Sequence, residues 1–230
     1  MAPYPLAFLQ NFVVIFGSIV LFMVPFIAVF AIRNRQQILT SRPHFSYFME
    51  RFFLSPESNA LIMVWAATEA IAWFIIPEFL LFLLIFMKVH RKFDLVKYDL
   101  IGTVIGTLIA FWWRLPDAFF AHLPYVRPKM LEHVHTWYDQ QGIWGLLHQP
   151  FSGVPYKIFT HEAADYHFFI PLFLLVAVTA RMVRYLVVYE ATKALYPFTH
   201  KFVRRHYGIL FIVACLVFTG LLVRVVRIYS

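Results

Sequence analysis

The chain has 230 residues, of which 61% are hydrophobic, 20% aromatic and only 14% charged, with a formal net charge of +8. So apolar a composition belongs to an integral membrane protein and excludes an ordinary soluble domain. Its Lys and Arg residues cluster beside apolar runs, where positive-inside topology and anionic lipid account for them, so no nucleic-acid partner is expected. The one cysteine, Cys215, lies within an apolar run, and neither a disulfide framework nor a thiolate metal site is expected.

The N-terminal MAPYPLAFLQN lacks the positive region of a secretory signal, so Phe12 to Ile32 is expected to be a retained span that tolerates Gly17 and Pro25. Arg33, Arg35, Arg42 and Arg51 then form a basic loop, placed on the cytoplasmic side. Phe45 to Leu54, FSYFMERFFL, is aromatic with two opposed charges and predicts an interfacial segment.

The stretch from Asn59 to Lys88 holds Glu69, Pro77 and Glu78 inside otherwise continuous apolar sequence. A carboxylate at bilayer depth costs roughly 2.5 to 3.5 kcal/mol on insertion scales, which makes each acid a functional candidate. As one helix, residues 59–87 would cover about 43 Å, well over the ~30 Å hydrocarbon core. Pro77 removes a backbone donor and clashes with the carbonyl of Trp73, so a break is expected there. A separation of nine residues would also put the two acids about 180° apart on an unbroken helix. A re-entrant hairpin near 59–87 resolves both problems by folding the acids toward a common polar region.

Lys88, Arg91, Lys92 and Lys97 make a second basic cluster, which such a hairpin keeps on the same side as the first. Asp99 opens a span expected over Leu100 to Trp113, with Gly102 and Gly106 in GxxxG spacing for close helix contact. Residues 114–141 read as a mixed polar outer loop carrying His122, His133 and His135. The last two stand two apart and share no helix face, so no metal site is expected of them. Pro150, Ser152, Gly153 and Pro155 interrupt Gly142 to Phe168, which predicts a second re-entrant element near 142–165, entering from the opposite face, with Lys157 just past its turn. HEAAD at His161 to Asp165 has an aspartate where a zinc hydrolase needs its second histidine, so a metalloenzyme is the minor alternative.

Phe168 to Val188 is the next expected span, with Arg181 and Arg184 on one face. They either snorkel to headgroups or, Arg181 being the deeper, pair with a buried glutamate or an anionic headgroup. Lys193, Lys201, Arg204 and Arg205 form a third basic cluster before a last span, Tyr207 to Val223, capped by Arg224 and Arg227. The expectation is an all-α membrane protein of one integral domain: four transmembrane helices and two opposed re-entrant hairpins, with both termini on the outer side.

Over roughly Phe52 to Val188, about three fifths of the chain, this arrangement resembles the DedA family, the SNARE-associated or VTT-domain membrane proteins. The residues carrying the resemblance are Glu69 followed by Pro77-Glu78, Gly102 and Gly106, WYDQQGIWGLL at Trp137 to Leu147, GVPYK at Gly153 to Lys157, and the Arg181/Arg184 pair. The family's second hairpin often has an arginine-phenylalanine pair and a proline-glycine turn ending in arginine. Here Gln149 and Pro150, then Ser152, Gly153 and Pro155, occupy those places, and Lys157 is the candidate replacement charge.

The resemblance implies a transporter that moves an anionic lipid, such as undecaprenyl phosphate or a phospholipid, across the bilayer as a flippase or scramblase. It also implies a bacterial inner membrane location. No cofactor and no enzymatic activity are expected. Glu69 and Glu78 match the family's acidic positions and Arg181 and Arg184 its basic pair. Protonation of the acids would be coupled to entry or release of a headgroup held by Arg181, Arg184 or Lys157. The alternative is a structural or assembly subunit, whose buried charges dock helices and whose partner is a membrane protein or a second copy of the chain.

Overall fold

The fold was obtained as a computed structural model that describes residues 4–41, 44–86 and 92–229. Arg42 of the first basic cluster, Lys88 and Arg91 of the second, and Met87 at the end of the first expected hairpin lie outside the described residues. No strand occurs among the described residues. The helices are α1 (Tyr4–Arg33), α2 (Arg35–Ser41), α3 (Phe45–Phe53), α4 (Pro56–Ile71), α5 (Pro77–Phe86) and α6 (Lys92–Trp112). They continue as α7 (Asp117–Ala121), α8 (Pro128–Gln141), a 3-10 helix (Gly142–His148), α9 (Gln149–Ser152), α10 (Tyr156–Ala163), α11 (Ile170–Arg205) and α12 (Tyr207–Ile228).

Four helical segments are long and apolar enough to cross a membrane: Ala7–Arg33, Leu95–Trp112, Ile170–Thr199 and Tyr207–Ile228. They fall on the four expected spans but run longer: the first begins at Ala7 rather than Phe12, and the last continues past Val223 through Arg224 and Arg227 to Ile228. The second span begins before Asp99, which therefore sits inside it and is buried. The third does not end near Val188: α11 runs on through the third basic cluster to Arg205, with Pro197 inside it. Its 36 residues extend about 54 Å, so part of the helix must project beyond a ~30 Å hydrocarbon core.

Residues 114–141 are not one loop, because α7 and α8 lie within them. Pro128 at the start of α8 presets the helical φ, and Met130, Val134 and Tyr138 recur every four residues to form a buried stripe. The polar residues between them disguise that stripe in composition.

The centre of the fold is the pairing of α4 with α6. A Cβ on Gly102 would lie 2.1 Å from the Met63 carbonyl oxygen, and one on Gly106 would lie 2.3 Å from that of Ala67. Both pairs repeat at four-residue spacing, so one face of α6 rests directly on the α4 backbone, as the GxxxG spacing predicts. Around this pair, Ile15, Ile19, Met23 and Phe30 of α1 are buried in the larger apolar cluster, and Phe22 of α1 packs against Trp65 and Trp73.

Two helices are broken where the sequence predicts interruption. After α4 the chain leaves helical geometry at residues 72–76, and Pro77 opens α5. Trp65 Nε1 donates to the Ile75 carbonyl at 2.7 Å, although ten residues of continuous helix would separate their backbones by about 15 Å. The chain therefore turns back on itself between the two acids. The second break is at Gly153 to Pro155, where Gly153 takes φ +75° and Pro155 leads into α10. Pro150 breaks nothing: it occupies the first turn of α9, where its missing N–H costs no hydrogen bond.

Candidate functional site

The two broken helices meet end to end. The C-terminal carbonyls of α4 and the N-terminus of α10 face each other, and side chains from each satisfy the other's backbone. Thr160 Oγ1 donates to the Ala70 carbonyl at 2.7 Å, and Lys157 Nζ donates to the carbonyls of Ala72 at 3.0 Å and Pro124 at 3.4 Å. In return the Tyr156 N–H, in the first turn of α10, donates to Glu69 Oε1 at 3.3 Å. A cation against the end of one helix and a carboxylate against the start of the other both suit the helix dipoles.

Glu69 thus sits where these ends meet, and α11 lies beside them. Arg181 pairs with Glu69, and each is only 1% exposed. The Arg181 guanidinium lies 4.5 Å from the Tyr156 ring centroid and donates to the Tyr185 hydroxyl at 3.3 Å. Tyr185 in turn donates to Asp99, and the Tyr156 hydroxyl shares a hydrogen bond of 2.8 Å with Thr107 Oγ1. One turn along α11, Arg184 Nε stands 2.9 Å from Glu78 Oε1. That contact is close but poorly aligned, and neither Glu78 oxygen has a hydrogen-bond donor. Glu78 is therefore held by charge more than by directed bonding.

The turn after α4 is what brings the acids together. On a straight helix Glu69 and Glu78 would face opposite ways, whereas here each reaches an arginine on the same helix, α11. With Asp99 and Lys157 included, the cluster holds three carboxylates, two guanidiniums and one ammonium, all buried except the half-buried Arg184. Formal neutrality offsets much of the desolvation cost that an unmatched charge would carry.

Asp99, Tyr156 and Tyr185 belong to this cluster although none of them is among the site residues expected from the sequence. Asp99, Thr103 and Thr107 recur every four residues and so define a polar stripe on an apolar helix, beside the Gly102/Gly106 face. That stripe was the available signal for Asp99. Tyr185 stands one turn after Arg181, but no spacing rule distinguishes it from a packing tyrosine.

Two voids that touch the cluster are each about the size of one water molecule. One of about 10 Å³ is lined by Asp99, Tyr185, Pro77 and apolar side chains, and another of about 10 Å³ by Lys157, Thr160, His161 and neighbours. The acids and arginines converge on each other directly, with no lipid-sized space between Glu69 and Arg181.

The HEAAD residues form a separate network at the far end of α10. His161 stacks on Phe120 at 3.8 Å and places Nε2 3.1 Å from Asp117 Oδ1, while Arg114 pairs with both Asp117 and Asp165. Glu162 approaches His135 at 3.6 Å, and Tyr166 donates to Asp139 at 2.6 Å. No group of three or more His, Cys, Asp or Glu side chains among the described residues is placed to hold a metal ion. Burial, followed by the nearby Arg114 charge, lowers the His161 pKa from its ordinary 6.5, against the opposing pull of Asp117 and Asp165.

Compared with known proteins, the chain matches no family model, no curated protein and no solved structure.

Proposed function

We propose that the chain is a DedA-like transporter that moves an anionic lipid across the bilayer, with proton binding at Glu69 or Glu78 coupled to headgroup passage. The observation carrying this reading is the ion pair of Glu69 with Arg181, both buried, at the point where two broken helices meet. Ionisable groups at such depth are costly and in membrane proteins mark substrate or proton pathways. Broken helices presenting their ends to each other are the usual framework of midplane binding sites. In this reading α4–α5 and the segment from Gly142 to Ala163 are two re-entrant hairpins entering from opposite faces.

The mechanism follows from charge balance. Protonation of Glu69 releases Arg181 from its carboxylate, and the guanidinium then takes the headgroup phosphate, for which its fork of donors is well shaped. Arg184 and Glu78 repeat this exchange one turn away, and Lys157 adds a third cation. Loss of the proton restores the ion pair and expels the headgroup. The bacterial inner membrane, implied by the family resemblance, is the proposed location. Reconstituting the purified chain with Glu69→Gln or Glu78→Gln in liposomes tests the reading: both variants insert and fail to translocate lipid, and full activity in both overturns it.

The close packing of the cluster favours a second reading, a structural or assembly subunit. Glu69 and Glu78 each have an arginine partner, and the adjoining voids hold no more than about one water. The buried pairs would then fix the docking of α11 on α4 and α5. A stoichiometric partner that co-purifies with the chain, together with no translocation by the chain alone, distinguishes this reading from transport.

A further inference from the structure

The three buried carboxylates are not held alike. Glu69 has the Arg181 guanidinium and the Tyr156 N–H, and Glu78 has Arg184. Asp99, on α6 and 4% exposed, forms no ion pair among the described residues, and its hydrogen-bond donor is the neutral Tyr185 hydroxyl. A buried carboxylate without a counter-ion gains more by taking a proton than one already held by a guanidinium.

The elements packed around Asp99 explain why no counter-charge reaches it. α11 brings Arg181 and Tyr185, α4 brings Glu69 and α5 brings Glu78, so two of these three charges are themselves negative. Arg181 is committed to Glu69, and Arg184 to Glu78. α10 meets α6 two turns farther on, where Tyr156 bonds to Thr107, and its Lys157 is bonded to the carbonyls of Ala72 and Pro124. Asp99 also stands four residues inside the candidate span Leu95–Trp112, about 6 Å from its start, so a proton arriving where α6 enters has a short way to travel.

One hydroxyl carries the effect of that proton to the ion pair. Tyr185 donates to Asp99, and the same hydroxyl oxygen accepts from Arg181 Nη1 at 3.3 Å. A protonated carboxyl is a donor, so Asp99 then turns its O–H to the Tyr185 oxygen and competes there with Arg181. The charge of the cluster changes too: one proton on Asp99 leaves two carboxylates facing two guanidiniums and an ammonium, a surplus of one positive charge. The proton comes from water and returns to it, and no covalent bond other than that O–H is made or broken.

We propose that Asp99 is a proton-binding site additional to Glu69 and Glu78, and that its proton loosens Arg181 through Tyr185 and readies the cluster for an anion. The role in anion passage rests on the transport reading, whereas proton binding at Asp99 does not. Infrared difference spectroscopy of the purified full chain across an acidification step tests the site through the carbonyl stretch of a newly protonated carboxyl. The contribution of exposed acids is common to native chain and variants and cancels between their spectra. The native chain is expected to show a band that Asp99→Asn loses and that Glu69→Gln and Glu78→Gln retain. Tyr185→Phe keeps the carboxyl but removes its hydroxyl partner, so it is expected to move the band to higher frequency, which assigns the band even where Asp99→Asn fails to fold. A band retained in Asp99→Asn, a band that Tyr185→Phe leaves unmoved, or no such band in the native chain overturns the proposal. In proteoliposomes Asp99→Asn is expected to make translocation of an anionic lipid independent of a proton gradient, and a rate that still follows the gradient overturns the coupling. A native chain that shows the band but moves no lipid overturns the transport reading and leaves the proton site standing.

Discussion

Glu69 and Arg181 offer the sharpest quantitative prediction. Glu69→Gln keeps an oxygen to accept the Tyr156 N–H but leaves the Arg181 guanidinium, 1% exposed, without its principal counter-charge. Removing one partner of a buried pair typically costs about 3 to 5 kcal/mol. For a chain of this length, about 2 to 4 °C of melting temperature corresponds to each kcal/mol, so the apparent midpoint should fall by about 6 to 20 °C. Arg181→Met should cost a similar amount through the stranded carboxylate, together with the lost contact to Tyr156. The double variant removes one acid and one base, keeps the cluster neutral, and should be more stable than either single variant. Thermal unfolding in detergent, followed by tryptophan fluorescence and by the loss of monodisperse protein, measures all four forms. Additive effects, or single-variant losses below about 1 kcal/mol, would refute the reasoning by showing that the pair is neither isolated from solvent nor mutually dependent.

Three further predictions follow from the same structure. Gly106→Val should prevent α4 and α6 from packing, because even a Cβ there would lie 2.3 Å from the Ala67 carbonyl oxygen; monodisperse protein should be lost on size exclusion, while Gly17→Val, with open space around it, should be tolerated. Tyr185→Phe deprives the buried Asp99 of its hydroxyl donor and should destabilise by about 1 to 3 kcal/mol, with Asp99→Asn combined with Tyr185→Phe recovering part of that loss in the same melting assay. At His161 the folded-state pKa lies below the unfolded value of 6.5, so the unfolded chain binds the extra proton and stability is lost as pH falls below about 6.5. A pH series of melting temperatures should therefore decline less steeply below that value in His161→Gln, and an unchanged slope would remove His161 from the account.

How far the sequence carried depended on whether a feature was local. The four spans could be read because a membrane helix announces itself by length and apolarity, and Gly102 and Gly106 because close helix packing needs small residues at one fixed spacing. Glu69, Glu78, Arg181 and Arg184 stood out for the reverse reason, as charges in apolar surroundings. Which arginine meets which glutamate was not legible, since the pairing depends on the turn at residues 72–76 and on the rotation of α11. The helix at Pro128–Gln141 was hidden by its polar face, although Met130, Val134 and Tyr138 held the repeat that buries it. The end of α11 was misplaced because a basic cluster reads as a loop when it follows a span, whereas Lys193 here makes an i,i+3 pair with Glu190 on a continuing helix. Asp99 reads as the boundary of a span for a similar reason, and the partner that explains its burial, Tyr185, lies 86 residues away.

The stability and transport arguments meet in one variant. Glu69→Gln combined with Arg181→Met should keep the fold, and its activity then separates a working ion pair from a docking one. The decisive measurement is the rate at which a fluorescent anionic phospholipid in the inner leaflet of proteoliposomes becomes reducible from outside, for the native chain and for this double variant. The transport account predicts translocation by the native chain and a rate no faster than that of empty liposomes for the folded variant. A variant that translocates as fast as the native chain, or a native chain no faster than empty liposomes, would contradict it.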